Sequence, residues 1–220
     1  VSQWASPFLH TDRLVLEPLM VSAAREMVHV LAAPRLYDHT GGGPPDLQTL
    51  RERYARQAEG WSSDRSQRWF NWIVRRRETH LAVGYVQASL TVDTGIADVA
   101  WVIGEDFQRQ GYATEAARAM LRWLGAHGDV ERITAHISAE NYPSQAVARH
   151  LGFLATSTVE HAEVVWEVLL AAEQLHRHIT RDPSHPNGHI TRSGPVVYVP
   201  VRPVQPQVLV AAQEVTFQLV

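Results

Sequence analysis

An apolar run that stops at a glycine-bearing loop and restarts as an amphipathic helix leaves a chain few choices of fold. Here the run is Ile96-Ala-Asp-Val-Ala-Trp-Val-Ile103, the loop is Gln108-Arg-Gln-Gly-Tyr-Ala113, and the helical pattern begins at Thr114. Ala117, Met120, Leu121 and Leu124 fall at i, i+3, i+4 and i+7, one buried stripe. The first N–H groups of a helix have no intrahelical partner, and the helix dipole adds partial positive charge there. Gly111 and Ala113 are small enough for a phosphate to approach the backbone. The unit therefore reads as strand, anion-binding loop, helix.

The rest of the chain supplies partners for that strand. Arg13 to Leu19 alternates apolar and polar residues and reads as a first strand. Ser22 to Leu31 suits a helix with Ser22 as its N-cap, and Gly41-Gly-Gly-Pro-Pro45 is a loop. Asp46 caps a second helix running to about Ala58. Trp69–Val74 and Leu81–Leu90 read as strands joined by a solvated charged turn from Arg75 to His80. After the helix that ends near Gly125 come a strand at Val130–Ile137 and a short helix at Asn141–Leu151, with Pro143 in its first turn and Gly152 at its end. Phe153–Val159 and Glu163–Leu169 form a closing antiparallel pair. The order β-α-α-β-β-β-α-β-α-β-β predicts an α/β domain with a mixed sheet. Trp61, Trp69, Trp72 and Trp101 are assigned to the core, with one of them free to border a ligand.

Composition narrows the function. A net charge of −3 over 220 residues gives no footprint for nucleic acid or an anionic membrane. With no cysteine, disulfides and thiol catalysis are excluded. No run approaches the roughly 20 apolar residues that span a bilayer, and Val1–Pro7 does not read as a signal peptide. A cytoplasmic protein is the expectation. Residues 9–169 are expected to form the domain, and 170–220 a Pro/His/Val-rich extension that packs on it or on a neighbouring chain, a homodimer included. His176, His178, His185 and His189 in that extension read as a surface tail, with no metal site expected.

Three segments carry a family resemblance: Thr11-Asp-Arg-Leu-Val-Leu-Glu-Pro-Leu19, Gln108-Arg-Gln-Gly-Tyr-Ala-Thr-Glu-Ala116, and Asn141-Tyr-Pro-Ser144 followed by His150-Leu-Gly-Phe153. In this order they resemble the GCN5-related N-acetyltransferase (GNAT) superfamily, and within it the RimJ/RimL-like ribosomal-protein N-terminal acetyltransferases. The resemblance implies a mainly antiparallel central sheet, flanked by helices and splayed at its fourth strand, here Ile96–Ile103. It implies acetyl-CoA as co-substrate and a primary amine, on a peptide N-terminus or a small molecule, as acceptor. By position, Val102 and Ile103 would contact pantetheine. Gln108, Arg109, Gln110, Gly111, Tyr112, Ala113 and Thr114 would form the pyrophosphate loop, and Asn141 would bond the pantetheine or the thiol end of the cofactor, with Ser144 one helical turn on.

Acyl transfer to an amine needs a neutral amine, a base for its proton, N–H donors at the carbonyl oxygen and an acid for the departing thiolate. Asp98 is the candidate base or amine-orienting carboxylate, the alternative being a solvated or structural aspartate near a strand bulge. The backbone near Val102 is the candidate donor. Many members of the superfamily carry a tyrosine where this chain has Ala148. Ser144, or secondly Tyr142, would then supply the acid, Ser144 serving equally well as a helix cap. Glu115, in a first helical turn, reads as structural. A catalytically inactive acyl-CoA-binding module is the alternative to the enzyme.

Overall fold

The computed structural model describes residues 6–126 and 129–169. The expectations for 170–220, including its four histidines and any dimer contact, lie outside the described residues.

An eight-stranded sheet forms the centre, with strand order β1-β2-β3-β4-β5-β6-β8-β7. Its strands are β1 (Leu9–His10), β2 (Leu14–Pro18), β3 (Gln67–Arg76), β4 (Ala82–Thr91), β5 (Ile96–Ile103), β6 (Arg132–Ser138), β7 (Leu154–Glu160) and β8 (Glu163–Leu169). Its helices are α1 (Ala24–Val30), α2 (Leu47–Ala58), α3 (Tyr112–Gly125) and α4 (Tyr142–His150). Every strand pair is antiparallel except β5 with β6. The expected order of elements is present, preceded by the two-residue β1.

Strand alternation sorts the sheet into two faces. Phe70, Trp72 and Val74 of β3, with Val86, Ala88 and Leu90 of β4, join Ala116 and Met120 of α3 in one core. Trp123 of α3 meets Phe70 and Trp72 edge-on, with ring centroids 4.9 and 5.3 Å away. Residues of opposite parity, Ile73 of β3 and Tyr85 of β4, pack with Met27 of α1 and Leu50 and Tyr54 of α2 on the other face.

The helix caps follow from local chemistry. Asp46 accepts the Thr49 N–H at 2.7 Å and starts α2, as its residue type predicts. Gly152, at φ +89°, closes α4: its N–H reaches Arg149 O and the Phe153 N–H reaches Ala148 O, a Schellman motif. Ser22 is not a cap; it lies within a 3₁₀ turn at Val21–Ala23, and α1 begins without a side-chain cap.

The Arg75 turn is also corrected. β3 continues through Arg76, and the Arg75 side chain is only 19% exposed. Its guanidinium pairs with Glu17 of β2 and with Glu26 of α1, the latter at 2.6 Å, while Glu26 also accepts the Ala82 N–H at 2.7 Å. The arginine thus ties α1 to three strands, a use that its charge alone conceals.

Gly84 decides how closely β4 and β5 approach. A Cβ there would lie 2.1 Å from Val102 O and 2.9 Å from the Ile103 Cα, both backbone atoms. Gly84→Ala is therefore expected to push β5 outward and destabilise the fold by about 3 kcal/mol, the upper range of overpacking costs. Urea titration would read the loss; an unchanged midpoint would mean that the strands yield without strain.

Candidate active site

The sheet opens between β5 and β6. Only Ile96, Ala97 and Asp98 pair with Arg132, Ile133 and Thr134. Beyond that point β6 stays with β8 along its full length, from Arg132↔Leu169 to Ser138↔Glu163. The remainder of β5, Val99 to Ile103, is left with β4 on one side and an open edge on the other.

Alternation assigns the groups on that edge. Gly104 N–H donates to Val83 O at 2.9 Å, so two residues on, Val102 exchanges backbone bonds with Tyr85. Trp101 and Ile103 consequently direct their backbone groups toward the gap. The Gln108 side-chain amide donates to Ile103 O at 3.0 Å from that side. The free donors are thus the neighbours of Val102; its own amide serves β4, while its side chain packs toward the α1–α2 cluster.

Both helix N-termini lie at the open end, because β5 and β6 run parallel toward it. Backbone N–H groups from Arg109 to Thr114 have no acceptor among the described residues. Arg109 and Gly111 hold positive φ, +59° and +79°. Positive φ is uncommon in a residue with a side chain, and is found where the backbone must face a particular way. The side chains of the loop divide. Gln110 reaches Asp106 O, Tyr112 is buried in the core, and Ala113 packs against it, whereas Arg109 is exposed. What the loop presents is therefore backbone N–H groups beside the exposed Arg109, a donor set suited to phosphate.

Arg13 braces the loop from behind. Its guanidinium donates to Gln110 O at 3.0 Å, lies 4.9 Å over the Tyr112 ring, and pairs with Glu115 at 2.6 Å. Glu115 also accepts the Thr11 hydroxyl at 2.6 Å and the Arg13 N–H at 3.0 Å. It is a strut, as its sequence position suggested. Burial alone would raise the pKa of Glu115, but the Thr11 hydroxyl, Arg13 amide and Arg13 guanidinium outweigh it and hold the carboxyl below its ordinary value. A depressed carboxyl contributes stability above its unfolded pKa, about 4.3, that is lost as pH falls through the folded value. Glu115→Gln should cost about 1–2 kcal/mol near neutrality, with the gap to the parent closing below about pH 4. Thermal unfolding across pH 3–7 would check this; a gap independent of pH would assign the loss to packing.

At the closed end stands Asp98. Thr134 donates a short hydrogen bond to its Oδ1, and His136 Nε2 lies 3.3 Å from the same atom. No register shift interrupts β5 at this point, so the strand bulge of the alternative reading is absent. The hydrogen bond to Asp98 raises the His136 pKa, burial opposes it, and Asp98, Glu160 and Glu163 add further upward pull through their charges. His136 was not among the sequence candidates. Its signal was nonetheless present: Thr134 and His136 share one face of β6, and a parallel partner in register brings that face to Asp98.

At the open end, Asn141 caps α4 by accepting the Ser144 N–H at 3.1 Å. Ser144 is therefore not the cap; it is half-buried, and its hydroxyl has no partner among the described residues. Tyr142 is 70% exposed, and Ala148 is fully buried in the core. No hydrogen bond joins Ser144 or Tyr142 to Asp98, which lies five residues back along β5 from Ile103, about 16 Å at strand rise. Among the described residues, no three His, Asp or Glu side chains form a metal-binding group, and no helix is long and apolar enough to cross a membrane.

Comparison with known proteins agrees with this geometry. The family model "Acetyltransferase (GNAT) domain" matches residues 13–154. An uncharacterized N-acetyltransferase of Bacillus subtilis is 36% identical over 55 residues, 25% of this chain and 32% of the relative, so the match spans about a third of that protein. The fold resembles a GNAT-family acetyltransferase from Bacillus anthracis (TM-score 0.63, 18% identity, 74% of this chain and 99% of that one). It also resembles an acetyltransferase from Agrobacterium tumefaciens (0.61, 23%, 74% and 94%). A third similar structure is RimL, a ribosomal-protein α-N acetyltransferase in complex with coenzyme A (0.63, 13%, 74% and 98%). Strand order, the parted β5–β6 pair and the family match converge: this chain belongs to the GNAT acetyltransferase family.

Proposed function

We propose that residues 9–169 transfer an acetyl group from acetyl-CoA to a primary amine. The observation that carries this reading is the open β5 edge leading to the unpartnered amides of Arg109–Thr114. The edge suits the amide-bearing pantetheine arm, which pairs as a strand would, and the loop suits the pyrophosphate. Asn141 and Ser144, at the start of α4, lie at the same end of the gap.

Acetyl-CoA supplies the activated thioester; the chain supplies position and proton handling. The Trp101 and Ile103 amides are placed to meet negative charge developing on the thioester oxygen. Asp98 attracts the amine by its charge and, with His136, takes through intervening water the proton released as the amine nitrogen bonds to carbon and the carbon–sulfur bond breaks. The departing sulfur takes a proton from Ser144, from Tyr142 or from water. An α-amine, with pKa about 7.7–8.0, is partly neutral near pH 7, whereas a lysine amine near 10.4 is not. A peptide or protein α-amine is accordingly the favoured acceptor, with a small-molecule amine second.

One observation favours a second reading, an acyl-CoA-binding module without catalysis: Ala148 is a buried methyl at the position where the family resemblance would put a tyrosine. A thiol-release assay with acetyl-CoA against a panel of peptide and small amines separates the two. Release that depends on amine supports the enzyme. Cofactor binding with no amine acetylated supports the module.

A further inference from the structure

β7 ends the sheet, and its outer side is bare among the described residues. The opposite edge, β1, is two residues long, too short to template a partner, whereas β7 has seven. His161 and Ala162, at φ +51° and +67°, make the mirror-image turn of a two-residue hairpin, so Glu160 exchanges backbone bonds with Glu163. Val165 O accepts the Thr156 hydroxyl at 2.9 Å, the same parity along β8. Alternation then turns the N–H and C=O of Val159 and of Ala155, the partners of Val164 and Trp166, away from β8. Sheets blunt such an edge with charge, proline or a bulge. From Leu154 to Val159 there is no charge and no proline, only a register shift. Leu154 and Val159 are 76% and 62% exposed, and they lie on opposite faces, because their partners Glu167 and Val164 do.

The chain carries a segment fitted to that edge. Prolines recur from Pro183 to Pro206 and stop there; Gln207–Val220 has none, and Glu214 is its one charge. Within it, Val215-Thr-Phe-Gln-Leu219 alternates apolar and polar residues, the pattern of a strand with one buried face. A lone strand is not stable in water and needs a sheet to join. The other long bare edge, β5 beyond Asp98, lies in the gap assigned above to pantetheine. The tether also favours β7. β8 hands over to the rest of the chain at Leu169, two positions past Glu167, which pairs with Leu154 of β7. Residues 170–206, at about 3.3 Å each when extended, can reach either end of a seven-residue strand. A tethered segment meets its edge at an effective concentration that a separate molecule in dilute solution does not match.

We propose that residues 215–219 add to the outer edge of β7 in the same chain as a further strand. Main-chain bonds to Ala155 and Val159 hold it, and the Val215, Phe217 and Leu219 side chains cover the exposed apolar residue on their face.

The chain has no cysteine, so introduced pairs form disulfides without competition. In the full chain, Val159→Cys is combined in turn with Val215→Cys, Thr216→Cys, Phe217→Cys, Gln218→Cys and Leu219→Cys, and oxidised at low protein concentration. A disulfide needs Cα atoms within about 7 Å and side chains that face each other. Crosslinks should therefore form within one chain, at alternate positions and not at those between. In a second measurement, Thr216→Pro with Gln218→Pro removes the strand's donors. Amide exchange at Ala155 and Val159 should then be faster by about tenfold or more than in the parent. Disulfides between two chains would give the edge to a second copy and overturn the proposal. Equal crosslinking at all five positions, crosslinking at none, or exchange unaffected by the prolines would overturn it as well.

Discussion

Gly111→Glu should abolish measurable acetyl-CoA binding in a calorimetric titration, a loss of at least 100-fold, while the protein stays folded. Two effects act together. Gly111 sits at φ +79°, which costs a residue with a Cβ about 1–2 kcal/mol, and the new carboxylate lies among the unpartnered N–H groups to which we assign the pyrophosphate. Gly111→Ala separates them. A Cβ there would meet only the tip of Arg13, at 3.4 Å, so the alanine variant should show the backbone cost and a far smaller loss of affinity. Equal losses in the two variants would mean that loop conformation, and not charge, governs binding. Undiminished binding by the glutamate variant would remove the phosphate assignment altogether.

Asp98→Asn should lower kcat by about 100-fold or more, within the range for a lost acid–base group, with acetyl-CoA affinity unchanged. Asparagine keeps the size and can still accept from Thr134, but it carries no negative charge to hold a proton or an ammonium. The same substitution has a second readout. With its carboxylate partner gone, the His136 pKa should drop toward the ordinary histidine value, visible by NMR of the ring. The sign for stability follows. A raised histidine contributes stability below its unfolded pKa, about 6.5, which is lost as pH rises through the folded value. The parent should therefore exceed the variant in stability by more at pH 5.5 than at pH 9. If kcat is retained while His136 shifts as expected, Asp98 is a structural partner and the base lies elsewhere.

Much of this fold can be read from neighbours in sequence. The helical stripe of α3, the Asp46 cap and the Gly152 terminator depend on residues a few positions apart, and the chain states them openly. The loop of unpartnered amides at Arg109–Thr114 belongs to the same class, since a strand, a glycine and a helix start are contiguous. What escaped was long-range. Asp98 and His136 meet only because β5 and β6 pair in one particular register, and pairing between distant strands leaves no local mark. Arg75 misled for a related reason. An arginine in a charged stretch looks solvated until Glu17 and Glu26, far away along the chain, are brought against it. The donors on β5 needed the same information, because Val102 and its neighbours differ only in which edge their amides face.

Among the described residues, three residue pairs and the Gly95 carbonyl, which accepts the Glu131 and Arg132 N–H groups, stitch one side of the sheet to the other. Past them, backbone hydrogen bonding has no say in how far apart β5 and β6 stand. The spacing is instead imposed by the layer beneath, where α3 rests against α4 and Arg118 reaches across to His150 O at 3.1 Å. Cleft width in this protein is thus a property of helix packing. A substitution at the α3–α4 contact, remote from every reacting atom, would act like a shim under a jaw, changing the reach between donor and acceptor without touching either.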